Sequence, residues 1–222
     1  MIVVIQCAAK KSPYAGCLQT ADGKNVFFVA DPQAAPTQKD AVLARPDDIA
    51  DRGISWRQKL VKYNETPGNN PLGLLPAWQL YGNPTYEMLV NRYSQDRIYI
   101  LSAGWGLLSA EFLTPAYDIT FSASAERYKR RRKSDNYDDL EMLASSISEP
   151  VVFLGGKDYI DLFCRLTSNV KAPRTVFYNS SSPPTAPDCT LERFVTTTRT
   201  NWHYECAKAL ADGSQNLTAR FQ

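Results

Sequence analysis

The chain alternates between short, continuous apolar runs and longer stretches with helical spacing. MIVVIQ, residues 1–6, is unbroken and β-branched, the pattern of a strand buried on both faces. Three more runs share it: RIYILSA (97–103), PVVFLGG (150–156) and PRTVFYN (173–179). CLQTADGKNVFFVA (17–30) is two β-prone segments meeting at Asp22-Gly23, which predicts a hairpin. Pro32, Pro36 and Pro46 mark residues 31–55 as a long surface loop, and TPGNNPLGLLP (66–76) as a second, turn-rich one.

Helical patterning is read in SWRQKLVKYNE (55–65) and in NPTYEMLVNRYSQD, where Asn83 caps and Pro84 takes the first position. It is also read over 124–148 and 157–168, and in the tail TNWHYECAKALADG, which stops at Asp212-Gly213. Buried strands alternating with helices predict one α/β domain over residues 1–222, a three-layer fold. Its core is a mainly parallel, four-stranded central sheet with helices on both faces, plus a β-hairpin and long loops.

Composition changes this picture little. With 222 residues, 44% hydrophobic and 22% charged, the chain is long enough for a sizeable core and too apolar for disorder. A net charge of +2 leaves polyanion binding to a local patch. Five scattered cysteines without a C-x-x-C pair, no signal-like start and no spanning segment predict a cytoplasmic protein with reduced thiols. One histidine and unclustered cysteines argue against a zinc site, and no cofactor is expected. A membrane partner is not expected, and a monomer is favoured.

In open parallel sheets, ligands gather beyond the carboxyl ends of the strands. Three such ends carry polar or small residues. Gln6, Cys7, Lys10, Lys11 and Tyr14 follow the first run; Ser102, Gly104, Trp105 and Gly106 follow the second; Gly155, Gly156 and Lys157 follow the third. Any one glycine serves as well for turning the chain. Neither a phosphate-loop nor a dinucleotide-binding signature is present. Trp105 reads either as a stacking platform or as a plug. Tyr117 and Asp118 close the stretch LSAGWGLLSAEFLTPAYD, where Asp118 is the candidate carboxylate, although a lone aspartate also caps turns.

Six cations crowd ERYKRRRK: Arg127, Lys129, Arg130, Arg131, Arg132 and Lys133. Two readings stand, a solvated helix paired with Asp135, Asp138, Asp139 and Glu141, or an element gripping DNA phosphates. His203 lies in a helical pattern and reads as a packing or surface residue. Cys7 has lysines nearby for a nucleophile's role, while buried cysteines after strands are ordinarily inert.

CAAKKSPY resembles the signature of the base-exchange-related domain of archaeosine synthases, and ILSAGWGLLSAEFLTPAYD is similar to a segment of the YaaA peroxide-stress family. Both are grouped with the uracil-DNA-glycosylase-like fold, and the anti-phage glycosylases that remove glucosylated hydroxymethylcytosine are a further likeness. The resemblance implies a DNA glycosylase that flips a modified base and leaves an abasic site. Asp118, Lys10 and Gln6 would be catalytic. Cys7, Lys11, Tyr14, Ser102, Trp105, Gly106, Tyr117, Gly155 and Gly156 would hold substrate, and the basic run would hold DNA. The chain lacks G-Q-D-P-Y and His-Pro-Ser, so the uracil mechanism does not carry over. A non-catalytic DNA-binding stress protein and a nucleoside- or nucleotide-processing enzyme are the alternatives.

Overall fold

The computed structural model describes residues 1–38 and 40–213. Strands β1 (Ile2–Gln6), β2 (Leu18–Gln19), β3 (Asn25–Val29) and β4 (Ala41–Ala44) precede helix α1 (Trp56–Glu65). Next come β5 (Leu75–Pro76), α2 (Ala77–Leu80), α3 (Pro84–Tyr93), β6 (Ile98–Ser102), β7 (Gly106–Ser109), β8 (Leu113–Thr114) and β9 (Tyr117–Asp118). The chain continues through β10 (Leu140–Glu141), β11 (Val151–Leu154), α4 (Lys157–Leu166), β12 (Arg174–Tyr178), β13 (Thr190–Arg193) and α5 (Trp202–Ala211).

The central sheet has seven strands in the order β10-β7-β6-β1-β11-β12-β13. The four predicted buried runs lie side by side at its middle, all parallel, with β1 between β6 and β11. Their continuous apolar character follows from that position, because Val3, Val4, Ile5, Ile100, Val152 and Phe153 are fully enclosed. The expected count of four is corrected to seven. β13 (TLER) is a polar edge strand parallel to β12, while β7 folds back antiparallel on β6 and carries the two-residue β10. None of these three has the length or the apolar continuity that reveals a strand in sequence.

Gly106 makes the turn from β6 into β7. Its φ is +93°, and a Cβ there would lie 2.5 Å from the Leu140 nitrogen, so a side chain would push β10 away. The Asp22-Gly23 hairpin joins β2 and β3 as read, with Gly23 at φ +81°. The 31–55 loop is not wholly irregular: β4 lies within it and pairs in parallel with β3, which also takes β9 on its other side.

Helix boundaries follow local chemistry. Ser55 and Gln58 form a reciprocal capping box on α1, and Asn83 accepts from the Thr85 N–H ahead of α3, with Pro84 at the first position. α3 and α5 pack against each other, and Phe163 of α4 stacks on Phe153 of β11 with centroids 4.7 Å apart. No helix among the described residues is long and apolar enough to cross a membrane.

The helix expected over 124–148 does not form. A single 3-10 turn spans Arg127–Lys129, and the chain then runs as an irregular segment, turning at Lys133-Ser134, to the two-residue β10. A helix would set Arg127 beside Arg131 and Lys129 beside Lys133, like charges at i, i+4. The irregular path instead delivers the cations to carboxylates on different parts of the molecule. Arg127 meets Asp31, Lys129 meets Asp118, Arg131 meets Asp139, and Lys133 meets Asp161.

Candidate active site

Beyond the carboxyl ends of β1, β11 and β12 lies a cavity of about 730 Å³. Its inner wall is built from the first of these. The Tyr86 hydroxyl donates to the Gln6 carbonyl (2.8 Å), and the Cys7 N–H donates to Leu101 O (2.9 Å), so the chain leaving β1 is pinned. The Gly156 N–H donates to Gln6 Oε1 at 2.5 Å. This bond fixes the amide plane and uses Oε1 as the acceptor, which leaves Nε2 as a donor. A Cβ on Gly155 would lie 2.3 Å from the Phe153 ring, so that glycine is a packing requirement as well as a wall of the cavity.

Behind Cys7 stands a cluster of tyrosines. Cys7 Sγ is 3.3 Å from Tyr159 Oη, and Ser102 Oγ donates to Tyr117 Oη (2.9 Å), which is also 2.9 Å from Tyr81 Oη. Burial holds the phenols of Tyr81, Tyr86, Tyr117 and Tyr159 well above their ordinary pKa, so all four stay protonated. The Lys11 ammonium lies 4.2 Å over the Tyr117 ring. Burial lowers its pKa, opposed by the nearby Cys7 and Asp118.

The outer wall comes from two helix starts and one strand end. Gly156, Lys157, Asp158 and Tyr159 open α4; Asn201, Trp202, His203 and Tyr204 open α5; Tyr178 and Asn179 end β12. Two ten-residue helices thus present N-terminal N–H groups to one space, an arrangement that favours anions. Lys10, Lys157 and Arg199 add positive charge, and Asp158 is the single carboxylate among the lining residues. Its side chain takes part in no hydrogen bond or ion pair among the described residues. Among those residues, no three His, Cys, Asp or Glu side chains gather as a metal site.

His203 is buried, and its Nε2 atom has no hydrogen-bond partner among the described residues. Desolvation brings its pKa down to about 4, so the imidazole is neutral at physiological pH. It packs against the rings of Trp202 and Tyr204.

Of the residues singled out from sequence, Gln6, Cys7, Lys10, Gly155 and Gly156 line the cavity. Ser102, Tyr117 and Lys11 stand behind it. Trp105 is the plug: it is fully buried, edge-on to Phe28 at 4.9 Å, and Arg57 donates to its carbonyl. No ligand reaches that ring. Gly106 serves the β6–β7 turn, and Tyr14 is 86% exposed and outside the lining. Asp118 is half exposed, held 3.0 Å from Lys129, and also outside the lining.

The basic run divides in the same way. Arg131 is buried, with its guanidinium on Asp139 (2.6 and 2.8 Å) and on the Ala103 carbonyl, so it is a structural group rather than a phosphate ligand. Arg130 donates to the Ala123 carbonyl, while Arg132 lines two further pockets beside Asp135.

Lys157, read from sequence at the end of the third run, also lines the cavity, whereas sequence reasoning missed Asp158, Tyr178, Asn179, Arg199 and the N-terminal turn of α5. The strand-end rule that found Gly155, Gly156 and Lys157 extends by one residue to Asp158, and applies equally to Tyr178 and Asn179. Arg199 and His203 had no such signal, since a long connection carries them back over the sheet.

The model of a family of unknown function (DUF6884) matches residues 73–177, just under half of the chain. That span holds α3, β6 and the Gly155–Tyr159 wall, but neither β1 with Gln6 and Cys7 nor α5 with His203. No curated protein and no solved structure matches the chain.

Proposed function

We propose that the protein hydrolyses an N-glycosidic bond, releasing an enlarged base from a nucleotide extruded out of DNA into this cavity. The observation that carries the proposal is the convergence of a fixed amide, an unpaired carboxylate and three cations around one hollow of about 730 Å³. That volume exceeds what an unmodified base fills, which suits a bulky modification such as a glucosylated hydroxymethylcytosine, the substrate class implied by the sequence likeness.

Cleavage proceeds through an oxocarbenium-like sugar, so the site must supply negative charge near the anomeric carbon and donors for the departing base. Asp158, the single carboxylate among the described residues that line the cavity, is assigned the first of these. Its carboxylate stabilises the cation and takes the proton of the attacking water as the C–N bond breaks. Gln6 Nε2 and Lys10 donate to the base, which leaves with a proton. Lys157, Arg199 and the two helix starts hold the flanking phosphates. Asp118, the carboxylate favoured from sequence, is replaced in this role because it lies outside the cavity and is neutralised by Lys129. An enzyme of this kind would meet invading phage DNA in the cytoplasm.

A second reading keeps the chemistry and changes the substrate to a free nucleotide. It is favoured by the pairing of Arg127, Lys129, Arg131 and Lys133 with acids, which leaves the basic run little free charge for a DNA backbone. One experiment separates the readings. Phage DNA with modified cytosines, plain DNA and free nucleotides are each incubated with the protein. Alkali treatment reveals abasic sites, and mass spectrometry identifies released bases. Release from modified DNA alone supports the proposal, release from free nucleotides supports the second reading, and release from none overturns both in favour of a binding protein.

A further inference from the structure

Away from the cavity, two of the five cysteines face each other. Cys164 Sγ, near the end of α4, lies 3.9 Å from Cys189 Sγ, immediately before β13. Both are partly exposed, whereas Cys7 and Cys206 are buried. The Arg174 guanidinium sits between their segments, donating to the Cys164 and Asp188 carbonyls at 3.5 Å each. We propose that Cys164 and Cys189 form a reversible oxidation site, a dithiol that closes to a disulfide on exchange with a small disulfide such as oxidised glutathione.

The geometry needs little adjustment. Closing the bond brings the sulfurs from 3.9 Å to about 2 Å, within reach of side-chain rotation and a small backbone shift. The chemistry of the two thiols is also unequal. The hydrogen bond with Cys164 brings Cys189 down to about 7, assisted by Arg174, while the same bond raises Cys164. An attacking thiol with a pKa near ambient pH exchanges fastest. Cys189 is therefore the attacking thiol. Its thiolate attacks one sulfur of the small disulfide, forming a mixed disulfide and releasing one small thiol. The Cys164 sulfur then displaces the second small thiol as its proton is lost. Two protein thiols are oxidised and one small disulfide is reduced to two thiols.

Closure ties the last turn of α4 to the sheet edge. The inference is independent of the glycosylase reading, since none of these residues lines the cavity.

The test equilibrates the native protein with oxidised glutathione, then traps free thiols and determines intact mass and peptide linkage. Loss of two thiols, a 164–189 linkage and reversal by dithiothreitol are expected. Cys164→Ser should accumulate a glutathione adduct on Cys189, and Cys189→Ser should leave Cys164 largely unmodified. Retention of all five thiols, or a linkage through Cys7, Cys17 or Cys206, overturns the proposal. So does equal adduct formation in the two serine variants, each first shown to be folded by circular dichroism.

Discussion

The Gly156 N–H donates to the Gln6 side-chain carbonyl at 2.5 Å, across 150 residues of sequence. One bond joins the end of β1 to the start of α4 and so helps set the spacing between the amide and Asp158, the two groups given roles in the proposed cleavage. Gln6→Ala removes the donor to the base and leaves the Gly156 N–H unanswered by protein. The expected result is a fall in base release of about tenfold or more, with a stability loss of about 1 kcal/mol. Single-turnover kinetics beside urea denaturation reads both.

Asp158 and Asp118 make opposite predictions. Asp158→Asn should keep substrate binding and lower the single-turnover rate by at least about a hundredfold, as expected when a group acts mainly in the transition state. Asp118→Asn should stay within a few-fold of the parent, since its carboxylate serves Lys129 on the surface. The reverse ranking would return the catalytic role to Asp118.

Arg131 and Asp139 form an enclosed pair, with side chains 3% and 0% exposed, and Arg165 also reaches Asp139. Asp139→Ala strands the buried guanidinium, a change that costs about 3–5 kcal/mol in comparable sites. Chemical denaturation should show that loss. Arg132→Ala, at an exposed site, should change stability by less than about 0.5 kcal/mol.

His203 supplies a pH dependence. Its folded pKa of about 4 lies below the ordinary 6.5, because burial disfavours the charged form. Between pH 6.5 and 4 the unfolded chain therefore binds the proton more readily than the folded one. The stability associated with this residue is intact above 6.5 and declines as pH falls toward 4, by up to about 1.4 kcal/mol per unit. Denaturation midpoints at pH 7 and 5 should differ less in His203→Gln than in the parent. An identical difference in the two proteins would assign the acid sensitivity to other groups.

The inner wall of the candidate site was legible because it comes from one rule applied to strong local signals. Val3-Val4-Ile5 and Val151-Val152-Phe153-Leu154 announce buried strands. The residues directly after them, Gln6-Cys7 and Gly155-Gly156, must then stand at a strand's carboxyl end. The outer wall was not legible. Arg199 and the first turn of α5 reach the cavity by a path that no local pattern encodes.

The sequence by itself determined the α/β class, the four central strands, the hairpin at Gly23, and the start of α3 at Asn83-Pro84. Each rests on interactions between residues close along the chain, or on apolar continuity that only a buried strand requires. Tertiary structure decided the rest: that residues 124–148 form an irregular segment with turns instead of a helix, that Trp105 is enclosed, that Arg131 is a buried partner of Asp139, and that Asp158 rather than Asp118 lines the hollow. These outcomes depend on which distant carboxylate a cation meets and which wall a side chain joins. Charge pairing and burial are properties of proximity in space, and a list of residue types does not contain them.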